Sequence, residues 1–277
     1  MKKDINFLMS KKQAGQKITM LTCYDYPTAL LQEKAGIDII FAADSVGTNI
    51  LGYESATEVT MADMIHHLKA VVRGVTDAYL LVDMPYGSYD TPKQALENAR
   101  VFLSHGADGV KLEGWSEQEE VVRTLSAHNI EVCAHIGHNP QTHGNKAWTH
   151  GVTYAKAKVL IQTALILERA GVQMIVFEKV SEEVSRILTE RLKIPTIGIG
   201  AGRFCDGQVL VITDILGVGR DWIHSKRYQN YQHLTFEAIC QYKAEVERGQ
   251  FPTEENVVSM DADKLVRVEK WLKRKHP

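Results

Sequence analysis

The sequence predicts an α/β fold in which eight parallel strands close into a (β/α)8 TIM barrel. Short runs rich in Ile, Val and Leu alternate with longer segments of helical period along the 277 residues. The apolar runs lack polar alternation, as expected of parallel strands that are covered on both faces. A doubly wound open sheet is the alternative, and it normally carries a glycine-rich nucleotide-binding turn after its first strand. The first predicted strand instead runs into residues 23–28, which contain no glycine, and this favours the barrel.

The predicted elements alternate regularly. The strands are expected at Thr19–Cys23, Ile37–Ala42, Tyr79–Val82, Gly109–Leu112, Glu131–Ile136, Met174–Phe177, Thr196–Ile199 and Val209–Ile212. The helices between them are expected at Tyr26–Ala35, Met61–Gly74, Pro92–Ser104, Glu117–Asn129, Tyr154–Ala170 and Ser181–Leu192. Thr91, Ser116 and Ser181 are candidate N-caps, and Gly36 and Gly171 stand where a helix ends before a strand.

We expect one domain over residues 1–277, with a helical C-terminal extension from about 221. The composition is 44% hydrophobic and 24% charged, which is typical of globular proteins, and the net charge of -2 argues against nucleic acid as a partner. No apolar run is long enough to cross a bilayer, and the N-terminus lacks the apolar stretch of a signal peptide. The four cysteines form no C-x-x-C pair, which indicates reduced thiols and a cytoplasmic location.

Acidic residues follow three successive predicted strands: Asp44, Asp83 and Glu113. In a barrel these strand ends open on the same C-terminal face, where the active sites of this fold lie. Three carboxylates in one cavity repel one another unless a cation or protons intervene. A single acid after a strand is more simply a helix cap, but three in succession favour a divalent metal with oxygen ligands, Mg²⁺ first.

Glu178 repeats this pattern after the sixth predicted strand. It could be a fourth ligand, an acid that caps the next helix, or a general base, and its apolar neighbours predict a raised pKa. Lys111 stands two residues before Glu113, so both side chains lie on the same face of the strand. There Lys111 could hold a substrate carboxylate or neutralise the acids, and Ser45 and Thr48 could donate hydrogen bonds to the same anion.

Two further patterns are weak indicators of function. Gly198–Gly202 suggests a phosphate loop, but glycine-rich turns are common in barrels for close packing alone. Residues 135–150 contain four histidines, and a zinc site is conceivable, although their spacing matches no helical ligand pair. A loop after the fifth strand is the favoured interpretation, with His135 pointing into the barrel.

Five long segments resemble one enzyme family, that of ketopantoate (3-methyl-2-oxobutanoate) hydroxymethyltransferase. They are Met20–Gly47, Leu51–Gly74, Val82–Asp90, Gly106–Gly114 and Ile194–Val211. The resemblance covers roughly Thr19 to Pro252. It implies a barrel of the phosphoenolpyruvate mutase/isocitrate lyase type and a homo-oligomer, a decamer.

The resemblance also implies roles for seven residues. The magnesium ligands of the family match Asp44, Asp83 and Glu113. The positions that contact the 2-oxo acid match Asp44, Ser45, Asp83 and Lys111, and the segment that lines the site includes His135. The proton acceptor matches Glu178. The implied reaction is the Mg²⁺-assisted enolisation of a 2-oxo acid and the transfer of a one-carbon unit from 5,10-methylenetetrahydrofolate, which gives 2-dehydropantoate in pantothenate biosynthesis.

The sequence departs from the family pattern at Trp115, at Lys179 and Ser181, and in residues 138–150 and 217–226. A paralogue that hydroxymethylates a different 2-oxo acid is therefore one alternative. A related superfamily enzyme, a 2-oxo-acid lyase or phosphonate mutase, is another, but no catalytic cysteine or phosphonate loop is evident. A non-catalytic barrel is disfavoured, because four acids and a lysine would have no reason to share an idle cavity.

Overall fold

In the computed structural model, which describes residues 2–143, 149–219 and 225–275, eight parallel strands form a closed barrel in chain order. Each strand pairs with the next, and the last pairs with the first. The strands are β1 (Ile18–Thr22), β2 (Ile39–Ala42), β3 (Tyr79–Asp83), β4 (Gly109–Glu113), β5 (Glu131–Gly137), β6 (Met174–Glu178), β7 (Thr196–Ile199) and β8 (Gly207–Leu210). The predicted barrel is confirmed.

Helices connect the strands, and their buried faces form the outer layer of the core. Those of residues 1–229 are α1 (Ile5–Gln13), α2 (Tyr26–Ala35), α3 (Met61–Val72), α4 (Pro92–Ser104), α5 (Glu119–Ala127), α6 (Pro140–His143), α7 (Tyr154–Ala170), α8 (Glu182–Arg191) and α9 (Ile212–Leu216). The strands β2, β3 and β4 are buried along their whole length, as parallel strands covered on both faces should be.

Most element boundaries agree with the sequence prediction, and three corrections are needed. Ser181 stands at the N-cap position of α8, but its hydroxyl donates to the Gly151 carbonyl and makes no capping hydrogen bond. Ser116 does not cap α5; it begins a 3₁₀ turn that follows Trp115, whose N–H donates to the Glu117 side chain. The last strand ends at Leu210 rather than Ile212, because the Ile212 N–H donates to the Thr22 hydroxyl and begins α9 there. Thr91 caps α4 through its side chain as expected.

The described residues from Asn230 onward form a second compact unit. It contains α10 (Tyr231–Glu247), a 3₁₀ turn (Glu254–Asn256) and α11 (Ala262–Lys275), and both helices carry exposed apolar side chains. A helical C-terminal segment was expected from about 221; residues 220–224 lie outside the described part of the chain, and the first helix of this unit begins at Tyr231. The organisation as one domain stays a prediction. Among the described residues, no helix is both long and apolar enough to cross a membrane.

A buried acid, Asp38, ties together the amino end of the barrel. Its carboxylate lies 2.5 Å from Lys11 Nζ and 3.2 Å from Lys3 Nζ, and it accepts a hydrogen bond of 2.9 Å from the Thr19 N–H. Burial alone raises the pKa of Asp38, but the Lys11 and Thr19 contacts outweigh it and hold the pKa below its ordinary value. This end of a barrel carries stability rather than catalysis.

We therefore expect Asp38→Asn to lower the free energy of unfolding by about 1.5–3 kcal/mol at neutral pH, since hydrogen bonds to a charged group are lost. Because the folded pKa is depressed, the contribution is present above the unfolded pKa of about 3.9 and disappears as the pH falls through the folded value. Urea unfolding between pH 3 and 7 measures this. Glu97→Gln, in an exposed pair with Lys93, should change stability by less than about 0.5 kcal/mol. Equal losses in the free energy of unfolding of Asp38→Asn and Glu97→Gln would contradict this expectation.

Candidate active site

The carboxyl ends of the strands surround a cavity of about 770 Å³, which is within the usual range for small-molecule sites. All seven residues to which the family resemblance assigns a role line it: Asp44, Ser45, Asp83, Lys111, Glu113, His135 and Glu178. Thr48 lines it too. Positions scattered over 135 residues of sequence are thus brought to one place by the barrel.

Strand register explains how the neighbouring strands β3 to β6 supply five of these groups. Asp83 at the end of β3 pairs with Lys111 on β4, and Glu113 at the end of β4 pairs with His135 on β5. Glu178 ends β6, opposite the last residue of β5. Because side chains alternate along a strand, Lys111 and Glu113 both face the cavity.

Lys111 is buried among the acids. Its Nζ lies 2.5 Å from Asp83 Oδ1 and 3.9 Å from Glu113 Oε1. Burial alone lowers the pKa of a lysine, but Asp83, Glu113 and Asp44 outweigh it and raise the pKa of Lys111 well above its ordinary value. Lys111 therefore carries its charge at neutral pH.

One lysine does not balance the charge of this cluster. Asp44 lies two residues beyond β2, and its N–H donates to Asp83 Oδ2 at 3.0 Å. Its pKa is raised well above the ordinary value by burial and by the negative charges of Asp83 and Glu113. Burial raises the pKa of Asp83 as well, although Lys111 opposes this. The site thus has a deficit of positive charge that a cation would correct.

The same carboxylates are held by protein donors. As they stand in the described part of the chain, no three His, Cys, Asp or Glu side chains are arranged to hold a metal ion. Asp83 faces Lys111, and Asp44 Oδ2 accepts from Gln141 Nε2 at 2.8 Å. The chemistry of the donor set nevertheless fits a hard divalent cation, since the groups are carboxylate oxygens on one cavity wall with uncompensated negative charge.

Glu178 and Glu113 lie on either side of His135. The imidazole Nδ1 is 3.1 Å from Glu113 Oε1, and Nε2 is 3.4 Å from Glu178 Oε2 without a hydrogen bond of good geometry. Burial and Lys111 lower the pKa of His135, but the acids outweigh them and raise it to about 9. His135 is therefore protonated at neutral pH. The pKa of Glu113 lies below its ordinary value, because His135 and Lys111 outweigh the effect of burial.

The expected rise in the pKa of Glu178 is wrong. Burial does raise it, but His135, Lys179 and His138 outweigh burial, so that the pKa lies below the ordinary value. Lys179 Nζ is 3.6 Å from Glu178 Oε1. The apolar residues that precede Glu178 in β6 are therefore a poor guide to its pKa, because His135, His138 and the next residue in the chain, Lys179, outweigh burial. Glu178 is ionised at neutral pH.

Gly137 allows β5 to approach the end of β6. Its φ is +102°, and a Cβ at this position would lie 2.2 Å from the Glu178 carbonyl oxygen and 2.8 Å from Val180 Cγ2. The neighbouring His138 N–H donates to that same carbonyl at 2.8 Å. A side chain at position 137 would therefore displace the backbone that carries Glu178.

Ser45 lines the cavity next to Asp44 and belongs to a network of hydroxyl groups. Ser45 Oγ lies 2.8 Å from the Tyr24 hydroxyl, which also accepts a hydrogen bond of 3.0 Å from Thr22 Oγ1. Tyr24 is buried, and burial raises its pKa, so that its hydroxyl stays neutral. Ser45 is thus oriented by an uncharged network that extends to the start of α9.

Sequence reasoning missed Gln141 and Tyr89. Gln141 contacts Asp44 and Glu113, and the Tyr89 hydroxyl donates to Gln141 Oε1. Both residues follow strands, β5 and β3 respectively, and they are uncharged. A search for titratable groups at strand ends passes over them, and only their position in loops at the catalytic face could have drawn notice.

The weaker patterns have simpler explanations. A Cβ at Gly202 would lie 2.5 Å from Glu182 Cγ, so the glycine-rich turn packs closely against the start of α8. His138 lines the cavity, whereas His150 packs against Trp115 with ring centroids 5.8 Å apart. The side chain of His143 lies outside the described residues.

Comparison with known proteins decides the family. The sequence profile described as ketopantoate hydroxymethyltransferase matches residues 2–254, which is most of the chain. The chain belongs to the ketopantoate hydroxymethyltransferase family. This confirms the resemblance found in the sequence, and the family is one of enzymes.

Relatives of this family match over nearly their whole length. A protein of Dehalococcoides mccartyi named 3-methyl-2-oxobutanoate hydroxymethyltransferase is 45% identical, over 98% of this chain and 100% of its own. Proteins of the same name from Acetivibrio thermocellus and Thermotoga maritima are 46% and 44% identical, and cover 92% and 90% of this chain and 92% and 94% of their own.

Solved structures confirm the type of barrel. A phosphonopyruvate hydrolase in complex with oxalate and Mg²⁺ superposes with a TM-score of 0.61 at 12% identity, covering 99% of this chain and 97% of that one. A 2,3-dimethylmalate lyase, described as a PEP mutase/isocitrate lyase superfamily member, superposes with a TM-score of 0.55 at 12% identity, covering 99% of each chain. At these identities the likeness shows the fold alone.

Proposed function

We propose that this protein is a 3-methyl-2-oxobutanoate hydroxymethyltransferase. It would transfer the one-carbon unit of 5,10-methylenetetrahydrofolate to C3 of 3-methyl-2-oxobutanoate, with uptake of one water and release of tetrahydrofolate, to give 2-dehydropantoate for pantothenate biosynthesis. One observation carries the proposal: three buried carboxylates, a buried lysine and a further acid share one cavity in a chain whose relatives bear this name. These groups can bind an anion and accept a proton.

Asp44, Asp83 and Glu113 are the residues that we propose to hold Mg²⁺. The raised pKa of Asp44, caused by burial and the neighbouring acids, supports this assignment, because a cation would relieve the same repulsion. When bound, Mg²⁺ would act as a Lewis acid toward the keto and carboxylate oxygens of the substrate.

Lys111 and Ser45 would bind and orient the substrate carboxylate. Lys111 is charged and buried, and a charge-assisted hydrogen bond from its ammonium is roughly twice as strong as a neutral one. The Ser45 hydroxyl, held by Tyr24, can donate to the same anion. Asp83 holds the lysine at 2.5 Å, and His135 lines the same cavity.

Glu178 would accept the C3 proton. It is ionised at neutral pH and lines the same cavity as Lys111, so it can act as a base without first losing a proton. Removal of the proton produces a carbon nucleophile at C3. Water would release the one-carbon unit from the folate at the oxidation level of formaldehyde, with cleavage of both C–N bonds and release of tetrahydrofolate. The C3 nucleophile would then add to the carbonyl carbon of this unit, and its oxygen, which comes from the water, would take up a proton to become the new hydroxyl. His135, in contact with both Glu178 and Glu113, would hold the base in position.

The test is an exchange assay in deuterated water with Mg²⁺, followed by NMR. The substrates are 3-methyl-2-oxobutanoate, 3-methyl-2-oxopentanoate and 4-methyl-2-oxopentanoate, each with and without 5,10-methylenetetrahydrofolate. We expect C3 exchange without folate, a hydroxymethylated product only with folate, and the highest kcat/KM for 3-methyl-2-oxobutanoate. Preference for another acid would assign the chain to a paralogous activity, and exchange of none would reject enolisation.

We further propose that the protein is cytoplasmic and forms a homo-oligomer, a decamer. The exposed apolar side chains of α10 and α11 support an assembly of several chains, because apolar surface of this kind is favourable to bury. Light scattering at micromolar concentration should give a mass near ten chains of 31.1 kDa. The mass of one chain would contradict the oligomer.

A further inference from the structure

Gln141, at the start of the loop after β5, contacts two of the three carboxylates assigned to Mg²⁺. It is 3% exposed and lies in α6. Its Nε2 donates to Asp44 Oδ2 at 2.8 Å and to the Met84 carbonyl at 3.1 Å. Its backbone N–H donates to Glu113 Oε2 at 3.0 Å. One residue thus joins acids that follow different strands, β2 and β4.

Tyr89 fixes the orientation of the Gln141 amide. The tyrosine hydroxyl has one proton, and it accepts a hydrogen bond of 3.3 Å from the Glu113 N–H. Its proton is therefore free for Gln141 Oε1, which can only accept. If the amide were reversed, its oxygen would face the Asp44 carboxylate. Tyr89 thereby keeps the N–H groups of the Gln141 amide directed at the Asp44 carboxylate.

The donor is also uncharged. An ammonium in place of the amide would hold Asp44 as firmly, but it would add a positive charge that opposes a cation in the same cavity. Lys111 already supplies one such charge beside Asp83. A neutral amide holds the Asp44 carboxylate in place without neutralising it, so that its negative charge can still attract a cation. Groups that hydrogen-bond to metal ligands commonly orient those ligands in this way.

We propose that Gln141, with its amide oriented by Tyr89, is a positioning residue that holds Asp44 and Glu113 in place for the divalent cation. This inference rests on the proposed function, since it takes these carboxylates as the metal ligands. Gln141 itself contacts neither substrate nor metal in this role.

The test measures binding of Mn²⁺ alone to the whole chain, with free Mn²⁺ followed by electron paramagnetic resonance. Gln141→Leu removes the amide, with its contacts to Asp44, to the Met84 carbonyl and to Tyr89, and keeps the backbone N–H that contacts Glu113. We expect its Kd for Mn²⁺ to rise by about 10–100-fold. Tyr89→Phe should raise the Kd less, and the double variant should resemble Gln141→Leu because both act through one amide. Excess Mg²⁺ should restore most of the C3 exchange of Gln141→Leu.

The matched control is Gln32→Leu. Gln32 is also 3% exposed, and its amide donates to a backbone carbonyl, that of Thr22, rather than to a carboxylate. The Gln32→Leu substitution should lower the melting temperature and leave the Kd for Mn²⁺ unchanged. A wild-type Kd in Gln141→Leu, whatever its melting temperature, overturns the inference and leaves the metal site standing. If Gln141→Leu does not fold, a wild-type Kd in Tyr89→Phe overturns it. Failure of the wild-type protein to bind Mn²⁺ rejects the metal site and the inference together.

Discussion

Replacing Glu178 with glutamine is expected to slow C3 proton exchange by roughly 10²–10⁴-fold, the usual contribution of a positioned general base. Glutamine has the same shape and cannot accept the proton at neutral pH. Binding of Mg²⁺ and substrate should stay nearly intact, because the proposed ligands lie on other strands and Lys111 remains charged. Calorimetry for binding and NMR for exchange, on one preparation, measure the two effects.

Glu182→Gln provides the control for this variant. Glu182 stands four residues further along the chain, and it pairs with Arg203 at 2.7 Å outside the cavity. The Glu182→Gln variant should exchange the C3 proton of the substrate at the wild-type rate. If Glu178→Gln also exchanges at that rate, the proton goes elsewhere, and His135 is the next candidate. If metal binding collapses instead, Glu178 is a ligand.

Substituting Asp83 is expected to abolish both Mg²⁺ binding and exchange. Asp83 holds Lys111 and accepts from the Asp44 N–H, so its loss removes a proposed ligand and releases two neighbours. In Asp83→Ala the loss of metal affinity should exceed about 100-fold, the upper range for removing an outer partner of a ligand. Asp83→Asn should give the same result while keeping the side-chain volume.

The comparison for Asp83 is Asp38→Asn. Both acids are buried and contact a lysine at 2.5 Å, but Asp38 lies at the amino end of the barrel. Asp38→Asn should lose stability and keep its metal affinity and exchange rate. Calorimetry with Mg²⁺ and urea unfolding separate the two outcomes. Wild-type metal affinity in Asp83→Asn would remove this residue from the ligand set.

Much of the fold could be predicted because its signals are local. Apolar runs mark the strands, and chain order then determines which strands are neighbours in a barrel. Once Asp83 and Glu113 are placed at consecutive strand ends, their proximity follows from geometry. The end of β8 was misplaced because the Ile212 N–H binds the Thr22 hydroxyl, a contact across 190 residues that no local pattern contains.

The charged residues of the site could be predicted from the sequence, but the hydrogen bonds between them and their neighbours could not. Lys111 and Glu113 could be placed together from strand alternation alone. The contact of Gln141 with Asp44 joins residues 97 positions apart through two loops, and loops have no period from which to infer it. The same limit explains the error at Glu178, whose pKa is lowered by His135 on a neighbouring strand.

Gly137 has a consequence for how substitution maps of this enzyme family are interpreted. Every side chain larger than hydrogen at this position would meet the Glu178 carbonyl at about 2.2 Å. A saturation library scored by activity would therefore rank position 137 beside the acids, although glycine has no group that can react. Intolerance at 137 reports a volume that must stay empty, whereas intolerance at 178 reports an atom that must be present. Only variants that separate binding from proton exchange distinguish these two kinds of constraint.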